Sequence, residues 1–103
     1  MHARVTRFEG SPKEIDAGIK MIKETVIPSA KKLRGFKSGY WLVDRASGKG
    51  FSVTLFENEE ALRASEDAAA QLRASAATTG TKITGVERYE VIAEATAERP
   101  VGV

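Results

Sequence analysis

The sequence predicts one α+β domain whose strands and helices follow the order βαββαβ. The first observation is a pair of strand-like segments, about 38–45 and 50–57, joined by a short turn-rich link that contains Ser47 and Gly48. Such an arrangement is typical of an antiparallel hairpin. The second observation is helical apolar periodicity on either side of the hairpin. The length of 103 residues also suits one domain with a modest core.

A strand and a helix start are predicted near the N-terminus. Residues 3–9 alternate in the manner of a strand, and Gly10 ends the segment. The next segment, Ser11–Glu14, favours a helix start, because the serine can cap the helix, the proline suits its first position and the glutamate completes a capping box. The first strand is therefore expected to pass directly into the first helix.

The first helix is predicted to extend to about Arg34. Apolar residues three and four positions apart form one stripe between Ile15 and Leu33, and Gly35 ends the helix. Pro28 lies within the stripe. Because proline lacks a backbone donor and clashes with the preceding turn, we expect a kink or a short break there. The stripe resumes at Ala30 and Leu33, which favours a kink.

The hairpin leads into a second helix and a last strand. Asn58 is predicted to cap this helix, and two glutamates in its first turn suit the helix dipole. The helix is predicted to continue as one element to about Ala76, with a stripe of mostly small residues that either packs closely on the sheet or leaves room for a ligand. The last strand is predicted over about 83–94, and Gly85 near its start indicates a bulge.

Two right-handed crossovers would place both helices on one side of a four-stranded antiparallel sheet. The predicted fold is thus a ferredoxin-like sandwich over residues 1–95, followed by a C-terminal tail over residues 96–103. Both faces of the third strand carry large apolar side chains, with Phe51 and Val53 on one face and Phe56 on the other. Since a sheet face in water is normally polar, we expect a second copy of the chain to cover the outer face, giving a homodimer.

The composition excludes several classes of site. The chain has no cysteine, which excludes disulfides and thiolate metal sites. Its single histidine, His2, excludes a multi-histidine metal site within one chain. No apolar run approaches the roughly 18 residues of a membrane span, and the N-terminus lacks the apolar region of a secretion signal, so a cytoplasmic protein is expected. The 16 Lys and Arg nearly balance the 14 Asp and Glu, which does not favour a nucleic-acid-binding surface.

A pattern of turn and strand residues surrounds the hairpin, and it reads Pro28, Gly35-Phe36, Gly39-Tyr40, Asp44-Arg45, Gly48 and the run from Ser52 to Leu62. This pattern resembles the dimeric α+β barrel proteins, and among them the antibiotic-biosynthesis monooxygenase-like (ABM-like) branch. The resemblance covers the chain from His2 to about Glu94. It implies two ferredoxin-like protomers whose sheets form a barrel, with one small pocket per protomer. Activities in these proteins include cofactor-free oxidation of aromatic polyketides, haem degradation and isomerisation of small metabolites.

The resemblance and the residue types together predict a pocket for a small aromatic or quinone-like ligand, lined by Arg4, Phe36, Tyr40, Trp41, Thr54 and Phe56. Aromatic rings supply apolar contact, while the polar groups orient a ligand. Three of these residues also have a purely structural interpretation. Trp41 could be a core or interface residue, Phe36 could fill the seam between helix and sheet, and Arg4 could be an edge-strand residue that faces solvent.

No catalytic set, metal or cofactor is predicted. In a cofactor-free oxidation the substrate supplies the electrons, and the protein desolvates it, orients it and stabilises a developing anion. The sequence therefore leaves two functions open: a cofactor-independent monooxygenase, and a non-catalytic ligand-binding or stress-related dimer.

Two further functions are less consistent with the residues. The haem-degrading branch uses an Asn in the first strand, a Trp at the end of the third and a His in the second helix, where this chain has Ala3, Phe56 and Glu66. Without that histidine there is no evident axial ligand. The segment Lys49–Phe56 matches the start and end of an RNA-recognition signature, but Val53 stands where a base-stacking aromatic is needed.

Overall fold

The computed structural model describes residues 1–78 and 80–97, and within these ranges four strands form one antiparallel sheet. The strands are β1 (His2–Glu9), β2 (Phe36–Val43), β3 (Lys49–Phe56) and β4 (Lys82–Glu90). Their order is β2-β3-β1-β4, so the first strand of the chain lies in the interior of the sheet. This order, with the helices on one face, confirms the predicted ferredoxin-like α+β fold.

The first helical segment is continuous but irregular. A 3₁₀ turn (Pro12–Glu14) leads into α1 (Ile15–Met21), a π-helical turn (Ile22–Val26) and α2 (Ile27–Lys31). As predicted, the Ser11 side chain caps the start, accepting a hydrogen bond from the Lys13 backbone nitrogen.

Of the kink or short break predicted at Pro28, the break is not present, because the helical path continues through the proline. The irregularity takes the form of the π-helical turn immediately before the proline, where the Ile27 backbone N–H donates to the Ile22 carbonyl five residues earlier. Because Pro28 has no N–H to donate to the Glu24 carbonyl, one standard helical bond is lost in any case. A wider turn at this point lets the helix continue past the proline.

The second helical segment, predicted to be one helix, is divided into α3 (Glu59–Ala64) and α4 (Glu66–Ala77). The predicted cap is confirmed, since Asn58 Oδ1 accepts from the Ala61 backbone nitrogen at 2.8 Å. Between the two helices Ser65 is buried, and its hydroxyl donates to the Leu62 carbonyl at 2.6 Å. Serine competes in this way with helical backbone bonds, a contact that apolar periodicity does not reveal.

The last strand is shorter than predicted. It ends at Glu90 instead of residue 94, and the Val91 backbone N–H donates to the Met1 carbonyl at 2.9 Å. Because β1 begins at His2, the chain beyond Val91 has no further strand residues to pair with. The register between β1 and β4 shifts next to Gly85, where the sequence predicts a bulge. Residues 98–103 of the predicted tail lie outside the described residues.

The buried core is small and lies where α3 meets the end of β3. Phe56, Ala61 and Leu62 are buried, and Leu33 and Phe36 pack against them. Gly35 allows this close packing: it has φ 78°, and a Cβ added to it would lie 2.5 Å from the Ala61 Cβ. A glycine is therefore required here both for backbone conformation and for space.

Candidate ligand-binding site

A cavity of about 440 Å³ lies between the helix-facing side of the sheet and the helical layer. Side chains of the strands form one wall, among them Phe8, Trp41 and Ser52, while α1, the π-helical turn and α4 form the other. The volume falls within the roughly 300–1,000 Å³ typical of small-molecule sites. The cavity is therefore a candidate for the small-ligand pocket that the sequence pattern implies.

Small residues keep this space open. Ala69 and Ala76 of α4 line the cavity, so the stripe of small residues in the second helical segment leaves room above the sheet. Gly18 of α1 also lines it, and a Cβ built there would meet no atom within 4 Å. On β2, Gly39 gives space to the neighbouring indole, since a Cβ at Gly39 would lie 2.8 Å from the Trp41 ring.

Two of the six predicted pocket residues line the cavity, Tyr40 and Trp41. Trp41 is half-buried and pairs in register with Ser52, on the helix-facing side. Tyr40 pairs with Val53, which places its side chain on the opposite face, where it is 63% exposed. Thr54 is on the helix-facing side but is not among the residues that line the cavity.

The other three predicted residues lie in the core next to α3. The rings of Phe36 and Phe56 meet edge to face, with centroids 5.9 Å apart, which confirms that Phe36 fills the helix–sheet seam. The Arg4 guanidinium lies 5.5 Å from the Phe56 ring centroid, a cation–π distance. Arg4 is only 4% exposed, so its interpretation as a solvent-facing edge residue is wrong. The reason is the strand order, which places β1 between two other strands.

Arg4 belongs to a polar network that joins β1, β4 and the second helical segment. Its Nη2 donates to the Leu62 carbonyl at 3.1 Å and to Ser65 Oγ at 2.8 Å, and lies 3.0 Å from Glu66 Oε1. Glu66 also accepts two hydrogen bonds of 2.7 Å from Arg88. These bonds from Arg88, together with the nearby charge of Arg4, lower the pKa of Glu66 to about 2. The carboxylate is therefore ionised at neutral pH and shared by two arginines.

Arg73 is a cavity residue that the sequence reasoning missed. It lies on α4 and lines the cavity, and its Nη1 is buried without a hydrogen-bond partner among the described residues. Burial, reinforced by repulsion from Arg4 and Arg88, lowers its pKa, although a guanidinium remains charged in proteins. Its spacing of four residues from Ala69 and three from Ala76 was an available signal, because these positions share one helix face.

The opposite face of the sheet carries many apolar side chains and is largely uncovered. Strand register places Val5, Phe51, Val53 and Leu55 on this face together with three exposed residues: Tyr40 at 63%, Leu42 at 43% and Tyr89 at 52% exposure. Arg7 stacks over the Phe51 ring on the same face, with 5.8 Å between the guanidinium carbon and the ring centroid. Arg7 also forms an ion pair with Glu87, with 2.7 Å between Nε and Oε1. The large apolar residues expected on the outer face are thus present, beside charged ones.

Solved structures of ABM-type proteins share this fold. The monooxygenase ActVA-Orf6 of Streptomyces coelicolor, solved with nanaomycin D, matches with a TM-score of 0.70 over 94% of this chain and 92% of its own, at 14% identity. SnoaB of Streptomyces nogalater, a cofactor-independent oxygenase, matches with a TM-score of 0.62 over 98% and 96%, at 16% identity. A mutant of MhuD, solved with two manganese protoporphyrin IX molecules per active site, matches with 0.71 over 94% and 100%, at 17% identity. The chain therefore has the fold of an ABM-like domain.

Sequence relatives are found in Mycobacterium tuberculosis. The uncharacterised protein Rv2558 is 32% identical over 91 residues, which are 88% of this chain and 39% of the relative. The uncharacterised protein Rv2557 is 33% identical over 72 residues, 70% of this chain and 32% of the relative. The chain thus spans about two fifths or less of the length of these curated relatives. No protein-family profile matches the chain.

Among residues 1–78 and 80–97 there is no group of three or more His, Cys, Asp or Glu side chains that could hold a metal ion. In the same ranges, no helix combines the length and the apolar character needed to cross a membrane.

Proposed function

We propose that this protein is a homodimer that binds a small aromatic or quinone-like molecule in the cavity and oxidises it without a cofactor. The observation that carries the proposal is the cavity of about 440 Å³ between sheet and helices. Support comes from the fold, which is shared with the monooxygenase ActVA-Orf6 and the cofactor-independent oxygenase SnoaB.

The composition of the cavity wall suits this chemistry. Apolar side chains predominate, and the Trp41 indole offers a flat surface for a ring system. In the proposed reaction an activated methylene carbon of the substrate becomes a carbonyl; dioxygen supplies one oxygen atom to the product and the other to water. The protein would exclude bulk water and stabilise the substrate carbanion through donors such as Arg73.

A non-catalytic role is the second candidate, and one observation favours it. The charged side chains among the described lining residues are Glu14, Lys23 and Arg73, and these residues include neither a histidine nor an evident carboxylate pair. A general base is therefore not apparent in the cavity. The same cavity would then bind the aromatic molecule without converting it.

Haem chemistry is not proposed. The helix position used for the axial histidine in haem-degrading proteins corresponds here to Glu66, and both of its carboxylate oxygens are engaged by Arg4 and Arg88. The single histidine of the chain, His2, is not among the residues lining the cavity. The residues present therefore do not fit a haem ligand set.

The exposed apolar residues of the outer face support the homodimer. Exposed Tyr40, Leu42 and Tyr89 would be covered if two sheets packed face to face. The wild-type protein should sediment as a dimer in analytical ultracentrifugation at micromolar concentration. The substitution Val53→Asp, in the middle of this face, should make it sediment as a monomer. Ala17→Asp, on the exposed side of α1, should leave the dimer intact. A monomeric wild-type protein would contradict the proposed assembly.

Ligand binding and turnover are tested with the same protein. The chain has one tryptophan, so quenching of Trp41 fluorescence reports on a quinone entering the cavity, while oxygen uptake with anthrone reports on oxidation. Gly18→Leu should fill the cavity and reduce both signals, whereas Ala17→Leu, on the neighbouring exposed position, should preserve them. Binding without oxygen uptake would favour the non-catalytic candidate, and quenching insensitive to Gly18→Leu would place the ligand elsewhere.

A further inference from the structure

We propose that Arg73 makes the cavity selective for apolar ligands that carry an anionic oxygen, as in a carboxylate or a phenolate. The inference rests on the proposed ligand-binding function of the cavity and specifies the chemical class of ligand that it accepts.

The first argument is the incomplete hydrogen bonding of Arg73. Its side chain forms part of the cavity wall, and its Nη1 is buried without a partner among the described residues. A buried donor left unpaired costs stability, and more so when it is charged. A ligand oxygen in the adjoining cavity is a natural acceptor after a small side-chain adjustment.

The second argument is the local balance of charge. Arg4 and Arg88 both repel Arg73 electrostatically, and Glu66 is a carboxylate that attracts all three arginines. Glu66 is already engaged, with two hydrogen bonds from Arg88 and a 3.0 Å contact to Arg4. Three positive charges thus share one negative charge, and an additional anion would reduce the imbalance. A neutral carbonyl could accept a hydrogen bond from Arg73, but it would not reduce the excess positive charge of the three arginines.

The remaining cavity wall explains why the rest of the ligand should be apolar. The other charged lining residues, Glu14 and Lys23, are exposed residues, whereas Phe8, Trp41 and Leu72 present apolar surface. An aromatic body with one anionic group matches this distribution, and a zwitterion or a sugar does not.

The test compares two probes of similar shape, 2-naphthoate and 2-acetonaphthone, by isothermal titration calorimetry at pH 7. The wild-type protein should bind the naphthoate about 10-fold more tightly or better, because a hydrogen bond to a charged group is stronger than one to a neutral group. Arg73→Met should remove this preference while changing ketone affinity less than about 3-fold. Arg63→Met removes the same charge from an exposed ion pair with Glu59 and should keep the preference.

The outcomes separate the inference from the proposed function. Equal binding of the two probes by the wild-type protein, with loss of both on Gly18→Leu, would overturn the role of Arg73 and retain the cavity as a binding site. Binding of neither probe would contradict the proposed function and the inference together. The wild-type comparison needs no substitution, so the inference stays falsifiable even if Arg73→Met does not fold.

Discussion

The substitution Glu66→Gln tests the polar network beneath the second helical segment. Glu66 is contacted by Arg88, through two bonds of 2.7 Å, and by Arg4 at 3.0 Å. An amide would keep the shape of the side chain but remove its charge, and its NH₂ group would face arginine donors. Arg4, which is 4% exposed, would lose its counterion.

The magnitude follows from the pKa of Glu66 and from the burial of Arg4. A pKa of about 2 in the folded protein, against an ordinary value of 4.5, corresponds to about 3 kcal/mol of stabilisation of the ionised form. Removing one partner of a buried pair costs about 3–5 kcal/mol by comparison with other proteins. We therefore expect Glu66→Gln to lower the free energy of unfolding by about 3 kcal/mol at pH 7.

The pH dependence gives the sharper assay. Because the pKa of Glu66 is lower in the folded than in the unfolded protein, its contribution is fully present above about pH 5 and is lost as the pH falls toward 2. In urea denaturation, the free energy of unfolding of Glu66→Gln should be lower than that of the wild type by about 3 kcal/mol at pH 7 and by about 1 kcal/mol at pH 3. The control Asp16→Asn breaks an ion pair with Arg45 in which both side chains are exposed, and should cost under about 1 kcal/mol. A difference that is below 1 kcal/mol at pH 7, or independent of pH, would refute the reasoning.

Three other predictions concern the backbone and the open sheet face. Gly35→Ala should destabilise the protein by more than about 1 kcal/mol in chemical denaturation, because φ is 78° and the added Cβ would clash with Ala61; unchanged stability would contradict the packing described. Gly18→Ala should instead raise stability by about 0.5–1 kcal/mol, since the helix gains alanine and its Cβ meets no atom within 4 Å; a loss would indicate that the space is not free. Single-stranded RNA should not bind the sheet face detectably, because Val53 replaces a stacking aromatic; binding with a log–log salt slope near −0.7 per phosphate contact would restore the RNA-recognition interpretation.

Local signals in the sequence were sufficient for the topology but not for the polar network. The caps at Ser11 and Asn58 depend on residues close in the chain, so spacing reveals them. The predicted helix end at Gly35 is less accurate, because α2 already ends at Lys31. The break at Ser65 depends on a hydroxyl held between Leu62 and Arg4, a contact that spans 61 positions. The spacing of apolar residues in the sequence does not predict a contact between residues so far apart in the chain.

The error over Arg4 has a different cause. A ferredoxin-like order already places the first strand between two others, so an interior position for Arg4 followed from the predicted fold itself. The solvent-facing interpretation of Arg4 rests instead on the general tendency of strand arginines to face solvent, and it does not take this topology into account. Once Arg4 is placed inside, it needs a carboxylate partner, and Glu66 is the acidic residue that the structure supplies.

The cluster around Glu66 links stability with ligand selectivity, and the two roles predict effects of opposite sign. Glu66 holds the sheet and the helical layer together by satisfying Arg4 and Arg88, yet the same carboxylate reduces the positive field at Arg73. Glu66→Gln should therefore weaken the fold and at the same time strengthen the binding of 2-naphthoate relative to 2-acetonaphthone. Arg73→Met should weaken naphthoate binding and, because it removes a buried and repelled charge, should cost little stability or none. If both substitutions weaken naphthoate binding in proportion to their loss of stability, the cluster acts only as scaffold and the charge imbalance has no part in selecting the ligand.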